Sequence, residues 1–87
     1  SQLKQALILA DRSLDNVLKD VVAGNSMGER LKNAQNMFDR DTYNKIWEAH
    51  KVRNSLVHES GFEPPYFVIR QSVESLKKGL QAIGINL

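Results

Sequence analysis

Apolar residues recur three and four positions apart at Leu3, Leu7, Ala10, Leu14, Val17, Leu18 and Val21, a spacing that predicts a helix over about Gln2 to Ala23 with one apolar face. Gly24-Asn25 should end it in a left-handed cap. Ser26 followed by Glu29 has the form of a capping box, so a second helix is expected from about Met27 to Phe38, with Leu31, Ala34, Met37 and Phe38 inward. Asp39 or Asp41 is placed to cap a third helix running to about Glu59. Ser60-Gly61 stops it, and Phe62-Glu63-Pro64-Pro65 makes a stiff connection. Proline suits a helix start, so the fourth helix should run from Pro65 to Ile83 on a stripe of Ile69, Val73, Leu76, Leu80 and Ile83, closing at Gly84. No segment alternates as a strand does, and no repeat is present. The expected fold class is all-α, an up-and-down four-helix bundle with short loops, forming a single domain over residues 1–87.

The third helix carries the most information. With about 100° per residue and His50 set at zero, Tyr43, Ile46, Trp47 and Val57 gather within about 60° of it. Ala49, Val52 and Leu56 form a second apolar strip on the far side. Two strips imply two packing partners: the rest of the bundle, and something else. A second copy of the chain is the economical choice, which puts the third helix at a two-fold dimer interface.

Composition narrows the class further. A chain of 87 residues has room for one core and buries roughly two-thirds of its unfolded surface, which makes self-association a natural source of stability. With no cysteine, neither disulfides nor a thiolate metal site can contribute, and a reducing cytoplasm is the expected location. No apolar run approaches the roughly 18 residues of a membrane span, and none has the pattern of a signal peptide. The net charge of +2 is too small for a non-specific nucleic-acid binder. Arg30, Lys32, Arg40, Lys45, Lys51 and Arg53 cluster in the middle third, interleaved with Glu29, Asp39, Asp41 and Glu48, as on an ordinary mixed-charge surface.

Against this background Arg53-Asn54-Ser55-Leu56-Val57-His58 stands out. A cation, an amide and an imidazole set into a helix with two apolar strips need partners, because buried polar groups without them are costly. The residue types suit work on a phosphodiester: arginine binds and neutralises phosphate, and histidine moves a proton. His50, Asn54 and His58 follow one another on one face, with Arg53 beside them. Arg53 and His58 are about 140° apart around the axis and about 7.5 Å apart along it, so one chain does not pair them tightly, and a composite site at a dimer cleft is the expectation. The histidines, about 12 Å apart by rise, cannot share an ion, and no metal or cofactor is expected.

Simpler assignments exist for each residue. His58 suits the negative end of the helix dipole, and Arg53 can pair with Glu48 or Glu59. His50 can be a satisfied core or interface histidine, while Trp47 and Tyr43 serve as packing. The glycines of Gly24-Asn25-Ser26-Met27-Gly28 make a turn and a cap rather than a phosphate loop.

The Arg-Asn-x3-His stretch resembles the Arg-x4–6-His signature of HEPN domains, small helical proteins that include RNA-cleaving toxins and defence effectors. The resemblance covers Trp47–Glu59 strongly and the whole bundle loosely. It implies a metal-independent endoribonuclease in which Arg53 stabilises the charged phosphorane and His58 is general base or acid. Asn54 would orient one or the other, with His50 and Lys51 as supporting or substrate-binding residues. The products would be a 2′,3′-cyclic phosphate and a 5′-hydroxyl. It also implies RNA or a nucleotide as ligand, and an antitoxin or nucleotidyltransferase as partner. Members controlled by a nucleotidyltransferase carry a tyrosine two residues after the histidine, where this chain has Ser60. Other members bind nucleotides or RNA, or only assemble, without cutting. A polar network of Arg53, Asn54 and His58 that fixes dimer register is the purely structural alternative.

Overall fold

The computed structural model describes all residues 1–87 and contains four α-helices and no strand, as a four-helix bundle requires. The helices are α1 (Gln2–Val21), α2 (Met27–Asn33), α3 (Arg40–His58) and α4 (Tyr66–Ala82), with a single 3-10 turn at Gln35–Met37. No helix is long and apolar enough to cross a membrane.

Local chemistry sets the ends. The Ser1 hydroxyl accepts from the Lys4 N–H at 3.3 Å, Ser26 from Glu29 at 3.1 Å, and Asp39 from Thr42 at 2.7 Å, each satisfying an N–H that the first turn leaves open. α1 stops two residues before Ala23 because Val22 is extended, and Gly24 turns the chain at a φ of 150°. A Cβ on Gly24 would stand 2.7 Å from Arg30 Cγ and 2.9 Å from its backbone N. Glycine thus lets α2 come this close to the end of α1. Arg30 then locks the corner: its Nε and Nη2 donate to the two oxygens of Asp15 at 2.7 and 2.9 Å, and Nη1 donates to the Gly24 carbonyl at 2.8 Å. That bidentate hydrogen bonding to Asp15 raises the Arg30 pKa above its ordinary value. A residue expected in a solvated charge cluster is therefore buried and structural.

α2 also ends earlier than the spacing suggests. The Asn33 amide turns back to donate to the Ala23 carbonyl at 2.7 Å, and after Ala34 the chain tightens into the 3-10 turn. Met37, expected inward, lies outside, while Phe38 is buried. With seven residues, about 10 Å of rise, α2 cannot return along the bundle, so α3 starts near the end at which α1 finished. The contacts confirm the course of the long helices. Lys4 at the start of α1 pairs with Glu63 just before α4, and Asp11 meets His50 in the second half of α3. Gly79 near the end of α4 sits between Ile46 and Leu14. α1 and α4 therefore run parallel, with α3 antiparallel to both, so the expected up-and-down four-helix order does not hold: α2 is too short to make a return pass, and three long helices alternate instead.

Leu7, Leu14, Leu18, Leu31, Ile46 and Leu76 are fully buried, so one core joins all four helices. The second apolar strip of α3 is mostly covered from within the chain. Of that strip Ala49 is in this core and Val52 and Leu56 pack against it; on the His50 side Ile46 is in the core, Trp47 packs over Gly28 of α2, and Val57 stays exposed.

Candidate functional site

The residues that position the site come from α1 and α3. Along α1 the buried face reads Leu7, Asp11, Leu14, Leu18, so one carboxylate interrupts a stripe of leucines. Its counterpart on α3 is His50, buried on the same face as Ile46 and Ala49. Asp11 Oδ1 lies 3.0 Å from His50 Nδ1, and its side chain is only 4% exposed. Asp11 Oδ2 faces Arg53 Nε at 3.5 Å, an ionic contact in which the buried Nε forms no hydrogen bond. Arg53 Nη1 donates to Asn54 Oδ1 at 3.1 Å, and Asn54 Nδ2 stands 3.4 Å from His50 Nε2. Asp11, His50, Asn54 and Arg53 thus close a four-membered polar ring between the two helices. Trp47 meets the His50 ring edge-on at 6.0 Å and Tyr43 meets Trp47 at 6.4 Å, so an aromatic row leads along α3 to the ring.

Three of the candidate residues, His50, Asn54 and Arg53, are brought together here. His50 is the satisfied core histidine of the simpler assignment. Arg53 takes Asp11 as its ionic partner, not Glu48 or Glu59, because its guanidinium turns inward toward the one carboxylate of the core. His58 and Lys51 stand apart. Both are exposed, and neither forms a hydrogen bond or ion pair with the rest of the chain. His58 is the last residue of α3, where its ring faces solvent at the negative end of the helix.

Asp11 belongs to no motif, and the reading of α3 alone missed it. Its signal is nevertheless in the sequence: a carboxylate on the leucine stripe of α1 needs a cationic or donating partner, and the apolar faces of the other helices offer His50 and Arg53.

The chemistry available follows from what each group has already spent. Nε and Nη1 of Arg53 are directed at Asp11 and Asn54, while no hydrogen bond within the chain uses Nη2. The Arg53 side chain is 28% exposed. It is held from behind by a buried carboxylate and offers its remaining donors outward, which suits an anion with two or more oxygens. A groove of about 530 Å³ lies between α3 and α4, lined in part by Lys45, Val52, Arg70 and Ser75, and includes no member of the ring. In a single chain Arg53 therefore lies outside this groove, with part of its side chain open to solvent. No three His, Asp or Glu side chains group as a metal site needs. Comparison of the chain with protein-family models, with curated proteins and with solved structures gives no match in any of the three.

Proposed function

We propose that this chain is a HEPN-like, metal-independent endoribonuclease that works as a two-fold dimer, with Arg53 of one protomer and His58 of the other meeting over one phosphodiester. The observation that carries it is the presentation of Arg53: braced by Asp11 and Asn54, with donors left over, on the helix that also ends in an exposed, unpartnered His58. Within one protomer the two residues are on different sides of the helix, so the chemistry requires a second copy to bring them together.

In that cleft Arg53 binds the non-bridging phosphate oxygens and stabilises the charge that grows on them. A neutral His58 takes the proton of the RNA 2′-hydroxyl as its oxygen attacks the adjacent phosphorus. The bond from phosphorus to the 5′-oxygen breaks, and that oxygen leaves with a proton from water or from the second, protonated His58. A 2′,3′-cyclic phosphate and a 5′-hydroxyl result. Incubating the purified chain with total RNA in EDTA, with Arg53→Ala in parallel, tests this. Cleavage by the wild type alone is the expected result, and cleavage that survives the substitution would reject the site.

One observation favours a second reading. Arg53 and Asn54 bond to each other, while the imidazole beside them, His50, is buried and engaged by Asp11, and the exposed His58 stands apart. A domain that binds RNA or a nucleotide without cutting it needs only this anion-binding half. It predicts RNA affinity without turnover, and loss of that affinity in Arg53→Ala.

A further inference from the structure

The polar ring closes only when each hydrogen points one way around it. The Asp11 carboxylate can only accept, so His50 Nδ1, 3.0 Å from Oδ1, carries a hydrogen. In the neutral imidazole Nε2 is then a bare lone pair, and a donor must face it. The Asn54 Nδ2 group stands there at 3.4 Å, which turns Asn54 Oδ1 toward Arg53, where it accepts from Nη1 at 3.1 Å. The reversed amide would fail at both ends, with oxygen against the Nε2 lone pair and amide hydrogens against those of the guanidinium. The protonation state of His50 therefore fixes which way Asn54 points, and Asn54 holds Arg53.

We propose that Asp11 and His50 are positioning residues for Arg53, and that proton uptake at His50 Nε2 reverses Asn54 and removes one of the two holds on the guanidinium. This rests on the reading in which Arg53 grips an RNA phosphate. The proton comes from solvent and adds to the Nε2 lone pair. Asn54 must then present Oδ1 to the new N–H, which brings its NH2 group against Arg53 Nη1. The guanidinium is left with Asp11 alone, at 3.5 Å, and loses its aim. The charged groups facing His50 are Asp11 from α1 and, on its own helix, Arg53. Arg30 of α2 is turned to Asp15 and Gly24, and no ion pair reaches His50 from α4. His50 is 8% exposed and Asn54, beside its Nε2, is half-buried.

Nitrogen-15 NMR of the intact wild-type chain tests the ring without any assay of function. At neutral pH His50 should carry its hydrogen on Nδ1. On acidification the Asn54 side-chain amide and the Arg53 Nε–H should shift with the midpoint of His50 and not with that of exposed His58. A hydrogen on Nε2 at neutral pH, or Asn54 and Arg53 signals unmoved while His50 titrates, would overturn the proposal. A second arm measures the affinity of a labelled single-stranded RNA against pH in a His58→Ala background, where His50 is the only histidine left. Affinity should fall on the acid side with the His50 midpoint. Adding His50→Gln, which can donate to Asp11 and accept from Asn54 but cannot titrate, should remove that acid limb. The same limb in both proteins would refute the mechanism. If the chain neither binds nor cuts RNA, the functional reading falls, and the NMR arm still decides the ring by itself.

Discussion

Asp11 of α1 faces Arg53 of α3 with Oδ2 3.5 Å from Nε, and the carboxylate is 4% exposed against 28% for the arginine. The acid is buried and its cation reaches water, so the pair has an inside and an outside. Replacing the inner member leaves both Arg53 and His50 facing an apolar gap. Asp11→Ala should therefore lower stability by about 2–3 kcal/mol, less than a fully buried pair loses because Arg53 can turn outward. Urea denaturation of both proteins measures this, and a loss indistinguishable from zero would mean that the ring does not hold the helices together.

His58 should behave in the opposite way. It is exposed and bonds to nothing in its own chain, so His58→Ala should change stability by no more than about 0.5 kcal/mol. If it transfers the proton, cleavage should fall by roughly 10²-fold or more. Equal losses in folding and cleavage would place His58 in the fold, not the reaction.

Shared sites can be recognised by mixing inactive proteins. Arg53→Ala and His58→Ala protomers that exchange freely form mixed dimers in half of the population, each with one intact site if arginine and histidine come from different protomers. The mixture should recover about a quarter of the wild-type cleavage rate. Recovery of nothing would show that both residues act from one chain, or that no dimer forms.

Gly79 tests the fit between α3 and α4. A Cβ there would lie 2.7 Å from Ile46 Cδ1 and 3.1 Å from its Cγ1, in a side chain with no exposure. Alanine gains helix propensity, yet the overpacking should win, and Gly79→Ala should cost about 1 kcal/mol. The same substitution in an Ile46→Val background should cost less, because Cδ1 is gone. Equal thermal shifts in the two backgrounds would contradict this account.

Asp39 gives the start of α3 an acid sensitivity. The Thr42 backbone N–H, and after it the Thr42 hydroxyl, hold the Asp39 carboxyl below its ordinary value of 3.8. Because the folded value is the lower one, the stabilisation is complete above the unfolded value and disappears as pH falls through the folded one. Asp39→Asn keeps a capping oxygen but removes the charge. Its deficit relative to wild type should be largest well above the ordinary carboxylate value of 3.8 and shrink as the pH falls below it, in melting curves recorded across that range.

The helices were legible because each is written locally. Leucine spacing marks α1 and α4, and Ser26 and Asp39 cap α2 and α3 as expected. What escaped was set by contacts distant in sequence. Arg30 looks like any surface cation until Gly24 admits it to the Asp15 corner. Met37 has the spacing of a core residue, but the 3-10 turn rotates it outward. At the site, helical geometry alone separates Arg53 from His58, whereas the partner that fixes Arg53 lies on another helix. The two apolar strips of α3 suggested another chain, yet both pack into the chain's own core, and Val57 alone of them stays exposed. The dimer reading now stands on the separation of Arg53 and His58, not on uncovered apolar surface.

The shortness of α2 has a kinetic side. α3 and α4 are neighbours in the chain and can pair as a hairpin after closing only a small loop, whereas α1 must return across all of α2 to bring Asp11 to His50. Contacts between distant segments pay the greater closure entropy and tend to form late. Asp11→Asn should therefore leave the refolding rate nearly unchanged and speed unfolding, while a truncation in the hairpin, such as Leu76→Ala, should slow refolding. In this order of events the groups that aim Arg53 are the last to lock and the first to loosen, so the arginine can lose its bearing while most of the helical frame is still standing.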